Sequence, residues 1–280
     1  MATAVRSSEE IMEKVGGLEG HLNCAGHQVY YQIRGEGIPL VFLHDGLLHS
    51  TGFNAVMEHL KDDYLLVTYD RPQYGQSPPP SSPVSHTSIL DDLLCQMGIA
   101  QCVLIGGSAG GSYAIDYTLA YPHKVEGLLL VGAALSGYDF SEHMVTRGGR
   151  EVPGDSLEAW IHFWCEDPWL MAEENKEAKQ TFAEIIRNSP QNLEPYEVDF
   201  LDEIRAIDRL SEIDIPCLIV IGEVDIADNH AVAGILQHDI LKSKRIIVPH
   251  TGHLVYLEQP VYFSNLVRDF LKKLSRNGSA

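Results

Sequence analysis

Short apolar runs punctuated by turn residues recur along this chain and set its predicted element pattern. His21 to Cys24 and His27 to Ile33 flank the turn Ala25-Gly26, which predicts an antiparallel pair. Pro39 to Leu43, Tyr64 to Tyr69, Cys102 to Ile105, Cys217 to Ile221 and Arg245 to Val248 are apolar segments of strand length, and Gly127 to Val131 reads as a strand covered on both faces. A helix is predicted from Ser88, because Ile89, Leu90, Leu93, Leu94 and Met97 fall on one face. A second runs from about Tyr113 to Tyr121 and is stopped by Pro122. Residues 8 to 15 read as an amphipathic leader.

Strands alternating with helices predict an α/β fold, doubly wound around a mostly parallel sheet. The alternation lapses from about Gly137 to Ile207, where helical segments near Ser156 to Cys165 and Leu170 to Arg187 follow the polar run Arg147-Gly148-Gly149-Arg150. This stretch reads as a helical cap inserted above the carboxyl ends of the strands. The expected division is a leader at 1–18, a first core part at 19–136, the cap at 137–207, a second core part at 208–274 and a frayed tail at 275–280.

Length and composition fit one α/β unit with an insertion: the chain has 280 residues, 45% of them hydrophobic. A formal net charge of -19 argues against nucleic acid and against an anionic membrane surface as partners. The five cysteines, Cys24, Cys95, Cys102, Cys165 and Cys217, are odd in number and several lie in apolar segments, so they read as buried free thiols with no metal-ligand spacing. Met1 to Val15 carries Glu9, Glu10 and Glu13 without an apolar signal core, and no stretch approaches the roughly 18 apolar residues of a membrane span. A cytoplasmic protein acting on a small molecule is expected, with monomer and dimer both open.

The chemistry centres on Ile105-Gly106-Gly107-Ser108-Ala109-Gly110-Gly111, a G-x-S-x-G run between a predicted strand and a predicted helix. A nucleophilic serine on so tight a turn needs small residues two before and two after it, and Gly106 and Gly110 supply them. A helix starting there aims its first amides at a substrate carbonyl, which makes Ala109 N–H a candidate oxyanion donor. A phosphate-binding loop is the competing reading, but the G-x-G-x-x-G register and a following Lys-Ser/Thr are both missing.

Downstream, one apolar strand runs into Gly222-Glu223-Val224-Asp225 and another into Pro249-His250-Thr251-Gly252-His253. Serine, acid and histidine thus follow in that order, each just past a strand end. Ser108, Asp225 and His253 form the expected triad: His253 takes the serine proton and returns it to the leaving group, while Asp225 holds the imidazole tautomer. Asp228 and Glu223 compete with Asp225, and His250 competes with His253.

From about residue 20 to 273 the chain resembles the α/β-hydrolase superfamily. Asp70-Arg71-Pro72-Gln73-Tyr74-Gly75-Gln76-Ser77 is similar to that family's D-x-R-G-x-G-x-S loop, and His44-Asp45-Gly46-Leu47 stands where H-G-x-P is common. The resemblance implies Asp225 as the acid, from its spacing to the strand end, and His253 as the base, from the Gly252-His253 pair. It also implies Gly46 N–H as the second oxyanion donor, with Leu47 next in line. Asp45 departs from the pattern and is expected to reshape the loop or to set a carboxylate near the mouth of the site.

In the cap, Trp160, Trp164 and Trp169 lie with His162, Phe163, Met171 and Phe182. They read either as an acyl or aryl pocket or as the small core of the cap. Trp160 and Trp164, with Asp45 and Leu47, are the candidate pocket residues.

The resemblance implies a serine hydrolase of small carboxylic esters, thioesters or lactones, working through an acyl-enzyme on Ser108 and needing no metal or organic cofactor. Carbon–carbon bond hydrolases of ring-cleavage products and aminopeptidases use the same triad, although proline iminopeptidases carry His-Gly-Gly-Pro-Gly where this chain has His44-Asp45-Gly46-Leu47-Leu48. Haloalkane dehalogenases and epoxide hydrolases use an aspartate nucleophile, which the serine at 108 disfavours. A slow ligand receptor or a lyase is the reading from another class.

Overall fold

Four strands with nearly unbroken apolar sequence occupy the middle of the sheet: β3 (Pro39–Leu43), β5 (Cys102–Gly107), β6 (Val125–Val131) and β7 (Cys217–Gly222). Helices cover both their faces, so alternation of polar and apolar residues has no place in them. Around them lie β1 (Glu19–Cys24), β2 (His27–Arg34), β4 (Leu65–Tyr69) and β8 (Ser243–Val248), in the order β1-β2-β4-β3-β5-β6-β7-β8. Pairing is antiparallel for β1–β2 and β2–β4 and parallel from β4 onward. The computed structural model describes Ile11, Glu13, residues 16–201 and residues 204–277.

Successive residues of a strand point to opposite faces, and the core divides accordingly. Leu40, Phe42, Val103 and Ile105 join one apolar cluster with the helices Asn54–Leu60 and Pro260–Asn277. Val41, Leu43 and Leu104 join the other with His86–Met97, Ala109–Ala120 and Ala227–Asp239. Each fully buried aliphatic side chain contributes roughly 1.5–3 kcal/mol, so these two layers hold the sheet ends still enough to carry a site.

Several boundaries differ from the sequence expectation for local reasons. The helix expected from Ser88 begins at His86, because Ser85 is its cap and accepts the Ser88 amide at 3.1 Å. The helix expected near Tyr113 begins at Ala109, directly after the elbow serine. Against the expected Leu170 to Arg187, the helix runs Lys176–Asn188, starting six residues later and ending one later. The Trp169 and Leu170 amides instead bind Asp167, and their carbonyls accept from His253 and Leu254, so those backbone groups serve other partners.

Between β6 and β7 the chain forms the helices Glu142–Val145, Leu157–Cys165 and Lys176–Asn188 with short 3-10 turns. Cys24, Cys102 and Cys217 are buried free thiols, Cys165 is half-buried, and Cys95 is exposed, contrary to a wholly buried set. Burial pushes the Cys24 thiol up to about 12. In the expected leader, Ile11 and Glu13 are helical and Ile11 is buried, while the rest of 1–15 lies outside the described residues. The last helix continues through Asn277, and the remaining tail positions 278–280 also lie outside them. Among the described residues no helix is long and apolar enough to cross a membrane.

Candidate active site

β5 delivers Gly107 into Ser108, whose backbone sits at φ 49°, ψ -116°. A non-glycine residue there is strained, and the surroundings must hold it. They do so through Ser108 N–H, which donates to Val131 O at 2.9 Å, and Ser108 O, which accepts from Gly111 at 2.9 Å and from Ala134 at 3.0 Å. A Cβ on Gly106 would lie 2.5 Å from Gly110 O, and one on Gly111 2.5 Å from the Ala133 Cβ. The glycines therefore let strand, helix and the end of β6 close on one point, with Ser108 half-buried at the head of a 12-residue helix.

β7 and β8 supply the other two groups. His253 Nδ1 lies 2.8 Å from Asp225 Oδ2. Asp225 is 6% exposed, and its Oδ1 accepts from Ile226 N–H at 2.7 Å and from Asn229 Nδ2 at 2.8 Å, which fixes the carboxylate plane. Burial works against the imidazolium, but the Asp225 charge and hydrogen bond outweigh it and raise His253 above its ordinary value. The rival groups sit elsewhere. Asp228 accepts both the amide and the hydroxyl of Ser141 at 2.7 Å, Glu223 accepts the His250 amide at 3.0 Å, and His250 is exposed beside Glu174.

Gly132 was not singled out from the sequence, yet it decides this geometry. It has φ +51°, and a Cβ there would lie 2.7 Å from His253 Nδ1 and 3.2 Å from Asp225 Oδ2. It directly follows Val131, the acceptor of the Ser108 amide. One turn at the end of β6 thus borders the elbow on one side and the histidine–aspartate pair on the other. A glycine immediately after a buried strand was the only available signal.

The two expected oxyanion donors are neighbours: a Cβ on Gly46 would lie 3.9 Å from the Ala109 Cβ. Asp45 is 2% exposed, so its carboxylate is held inside the loop rather than displayed at the mouth as the sequence allowed. Its Oδ1 accepts from Leu47 N–H at 2.6 Å and Leu48 N–H at 2.8 Å, and its Oδ2 accepts from the Tyr256 hydroxyl. An aspartate in this position closes an Asx-type turn and engages the Leu47 amide, so of the two amides Gly46 N–H is the one this carboxylate does not engage.

A cavity of about 330 Å³ opens beside the elbow, with Ala109, Ser112, Tyr113, Tyr138 and Phe140 among its walls. Asp45, Leu47, Trp160 and Trp164 do not line it. Trp164 packs against the core cluster and beside Arg147, Trp160 meets Phe163 edge-on with ring centres 5.7 Å apart, and Met171 and Phe182 are fully buried, so these side chains pack within the β6–β7 segment and against the core.

That segment is tied down by acids the sequence did not flag. Asp167, fully buried, accepts from Arg147 Nε at 2.7 Å, Arg147 Nη2 at 2.6 Å and Arg150 Nη1 at 2.9 Å. Glu258 accepts from Gly252 and Ala172 amides at 2.8 Å each and from Asn175 Nδ2 at 2.5 Å. Burial raises the Glu258 carboxyl above its ordinary value against the pull of those three donors.

Known proteins resemble this chain along most of its length. A protein of Bacillus subtilis (strain 168) named as a 2-succinyl-6-hydroxy-2,4-cyclohexadiene-1-carboxylate synthase is 28% identical over 257 residues, covering 84% of this chain and 90% of that one. The pimeloyl-[acyl-carrier protein] methyl ester esterase of Yersinia enterocolitica is 23% identical, covering 88% and 98%. In fold, the chain is similar to a thermophilic esterase from Thermogutta terrifontis, with a TM-score of 0.72, 22% identity and coverage of 91% and 98%. The family model described as the alpha/beta hydrolase fold matches residues 38–260, and the chain belongs to that family.

Proposed function

We propose that this chain is a serine hydrolase that cleaves small carboxylic esters, thioesters or lactones through an acyl-enzyme on Ser108. The observation that carries the reading is the Asp225–His253 pair, 2.8 Å apart and sharing the Gly132 turn with the strand end that holds the Ser108 amide. His253 Nε2 takes the hydroxyl proton as Ser108 Oγ bonds to the substrate carbonyl carbon, and the carbonyl electron pair moves onto oxygen. Ala109 and Gly46 N–H donate to that oxyanion. Collapse breaks the bond to the alcohol or thiol, which leaves with the proton from His253, and water repeats the sequence to free the acid. Asp225, buried and hydrogen-bonded on both oxygens, keeps Nδ1 protonated and so reserves Nε2 for the serine. Relatives named as esterases support an ester as the bond class.

The walls beside Ala109 bear on the substrate. Tyr113, Tyr138 and Phe140 are aromatic and no charged residue among the described ones lines the cavity, which favours an uncharged acyl group with a flat or branched body. The cap reading of 137–207 fits here, since Tyr138 and Phe140 come from its first residues.

The test is intact-protein mass after a fluorophosphonate probe, with p-nitrophenyl esters of graded length assayed beside it. Labelling of wild type and its loss in Ser108→Ala, together with loss of turnover, are expected. A folded wild type that resists the probe, or a Ser108→Ala variant that keeps ester turnover, overturns the reading and moves the chain toward chemistry that forms no acyl-enzyme on Ser108.

A further inference from the structure

Among the described residues, Arg71 is a buried cation with no ion pair to an acid. It is 2% exposed, and the rings packed against its guanidinium are those of tyrosines. Its guanidinium lies 4.4 Å from the Tyr74 ring centre and 5.0 Å from that of Tyr113, and Nε has no hydrogen-bond partner among the described residues. Burying an unpaired charge is expensive, so a site that keeps one without a counter-ion is spending its field on something else.

The nearest acceptor identifies that target. Arg71 Nη2 donates to the Asp45 carbonyl oxygen at 2.5 Å. His44 reaches the same oxygen with Nδ1 at 2.9 Å. Its tautomer follows from its surroundings: His44 Nε2 accepts the Arg71 backbone amide at 3.0 Å, so the ring proton is on Nδ1. Burial, helped by the Arg71 charge, lowers His44 well below its ordinary value and keeps the ring neutral. Two donors, one of them charged, thus converge on one carbonyl.

That carbonyl belongs to the peptide whose nitrogen is Gly46. In a trans peptide the oxygen and the N–H point in opposite directions, so Arg71 and His44 act from behind while Gly46 N–H faces the other way. Hydrogen bonds to the oxygen draw electron density from nitrogen through the amide resonance and strengthen the N–H as a donor. We propose that Arg71 is a positioning residue for the oxyanion hole: with His44 it polarises the Asp45–Gly46 peptide and makes Gly46 N–H a stronger donor to the transition state. This rests on the hydrolase reading above, in which Gly46 is an oxyanion donor.

The experiment combines kinetics with amide NMR on wild type and Arg71→Met. Methionine keeps length and apolar contact, and no acid among the described residues is ion-paired with Arg71 and left orphaned. The expected loss in kcat/KM is on the order of ten-fold, below the 10²–10³ of deleting an oxyanion donor outright, and it falls on kcat with KM unchanged. The Gly46 amide proton moves upfield, while Leu47 and Leu48, held by the Asp45 carboxylate, keep their shifts. A mere loss of loop structure would shift all three amides together, and that result, or an unchanged Gly46 shift, overturns the proposal. If Arg71→Met does not fold, Arg71→Lys is measured instead; its charge without the planar fork predicts a smaller upfield shift of Gly46, and no shift overturns the idea. Should wild type resist the fluorophosphonate probe and hydrolyse no ester, the hydrolase reading fails, whereas the Gly46 shift still decides the polarisation.

Discussion

The His253 amide donates to the Trp169 carbonyl at 2.9 Å, and the next pair, Leu254 N–H to Leu170 O, follows at 3.2 Å. The loop that carries the proposed base is therefore bonded, backbone to backbone, to the segment between β6 and β7. Gly252 permits this contact, since a Cβ there would lie 2.7 Å from Trp169 O. Substitutions where residues 169–175 meet this loop are then expected to reach the chemistry through His253 without touching substrate.

Glu258 is the first place to see this. Glu258→Ala removes the acceptor of the Gly252 and Ala172 amides and of Asn175 Nδ2 together. Leaving buried donors unmet costs about 1–3 kcal/mol, and the freed loop lowers kcat more than it changes KM. Urea unfolding beside steady-state kinetics checks both. Unchanged kcat in a destabilised variant would show that Glu258 serves stability alone.

Gly132→Ala asks whether the β6 turn sets the His253–Asp225 geometry. Alanine at φ +51° is strained by about 1 kcal/mol, which a folded protein of this size tolerates. The added methyl, 2.7 Å from His253 Nδ1, displaces the imidazole, so fluorophosphonate labelling is expected to slow by at least about 100-fold. Labelling at the wild-type rate would separate Gly132 from the site.

The strand pattern, the elbow and the order of Ser108, Asp225 and His253 were legible in the sequence because each rests on short-range signals: apolar runs, glycine spacing, position after a strand end. Asp45 was visible as a departure, but its direction was not. The partner that turns its carboxylate inward, Tyr256, is far along the chain. Gly132, Glu258 and Asp167 were missed for the same reason, since their roles come from contacts made only after the strands are ordered in the sheet. Leu170 to Ala172 carry a helix-compatible pattern, and only the competing partners of their backbone show why no helix forms there.

The pH profile follows from His253. The base must be neutral, and Asp225 raises its pKa above the ordinary 6.5 despite burial. kcat/KM is therefore expected to fall ten-fold per pH unit below that raised pKa and to level off above it. Asp225→Asn removes the cause, moving the limb to lower pH and lowering kcat by on the order of 10⁴. Asp228→Asn, acting on Ser141 instead, leaves the limb where it was. A limb that moves with Asp228 rather than Asp225 would reassign the acid.

The aromatic wall should set substrate size. Phe140→Ala and Tyr138→Ala enlarge the cavity beside Ala109 without touching Ser108 or His253. The preferred acyl group is expected to lengthen across the p-nitrophenyl series, each methylene taken up by the enlarged pocket carrying about 1–3 kcal/mol or roughly 10- to 200-fold, while p-nitrophenyl acetate, too short to fill the new space, changes by less than about ten-fold. A profile unchanged in both variants would place the acyl group elsewhere.

Asp167 offers the sharpest stability prediction. Its carboxylate is fully buried and accepts from two guanidinium groups and from the amides of Trp169 and Leu170, both at 2.9 Å. Asp167→Ala leaves Arg147 and Arg150 without their acid, and both are largely covered, with side chains 12% and 23% exposed. Breaking a buried pair from one side costs about 3–5 kcal/mol, and the residual exposure of the arginines puts this case at the lower end. The Trp169 carbonyl, which holds the His253 amide, shifts when its own amide loses Asp167, so kcat falls along with stability. Arg147→Met with Asp167→Leu replaces the strongest pair by apolar groups and is expected to recover more than half of the lost stability, measured by urea unfolding. Recovery of stability without recovery of kcat would assign the Asp167 effect on rate to its hold on Trp169 rather than to its neutralisation of Arg147.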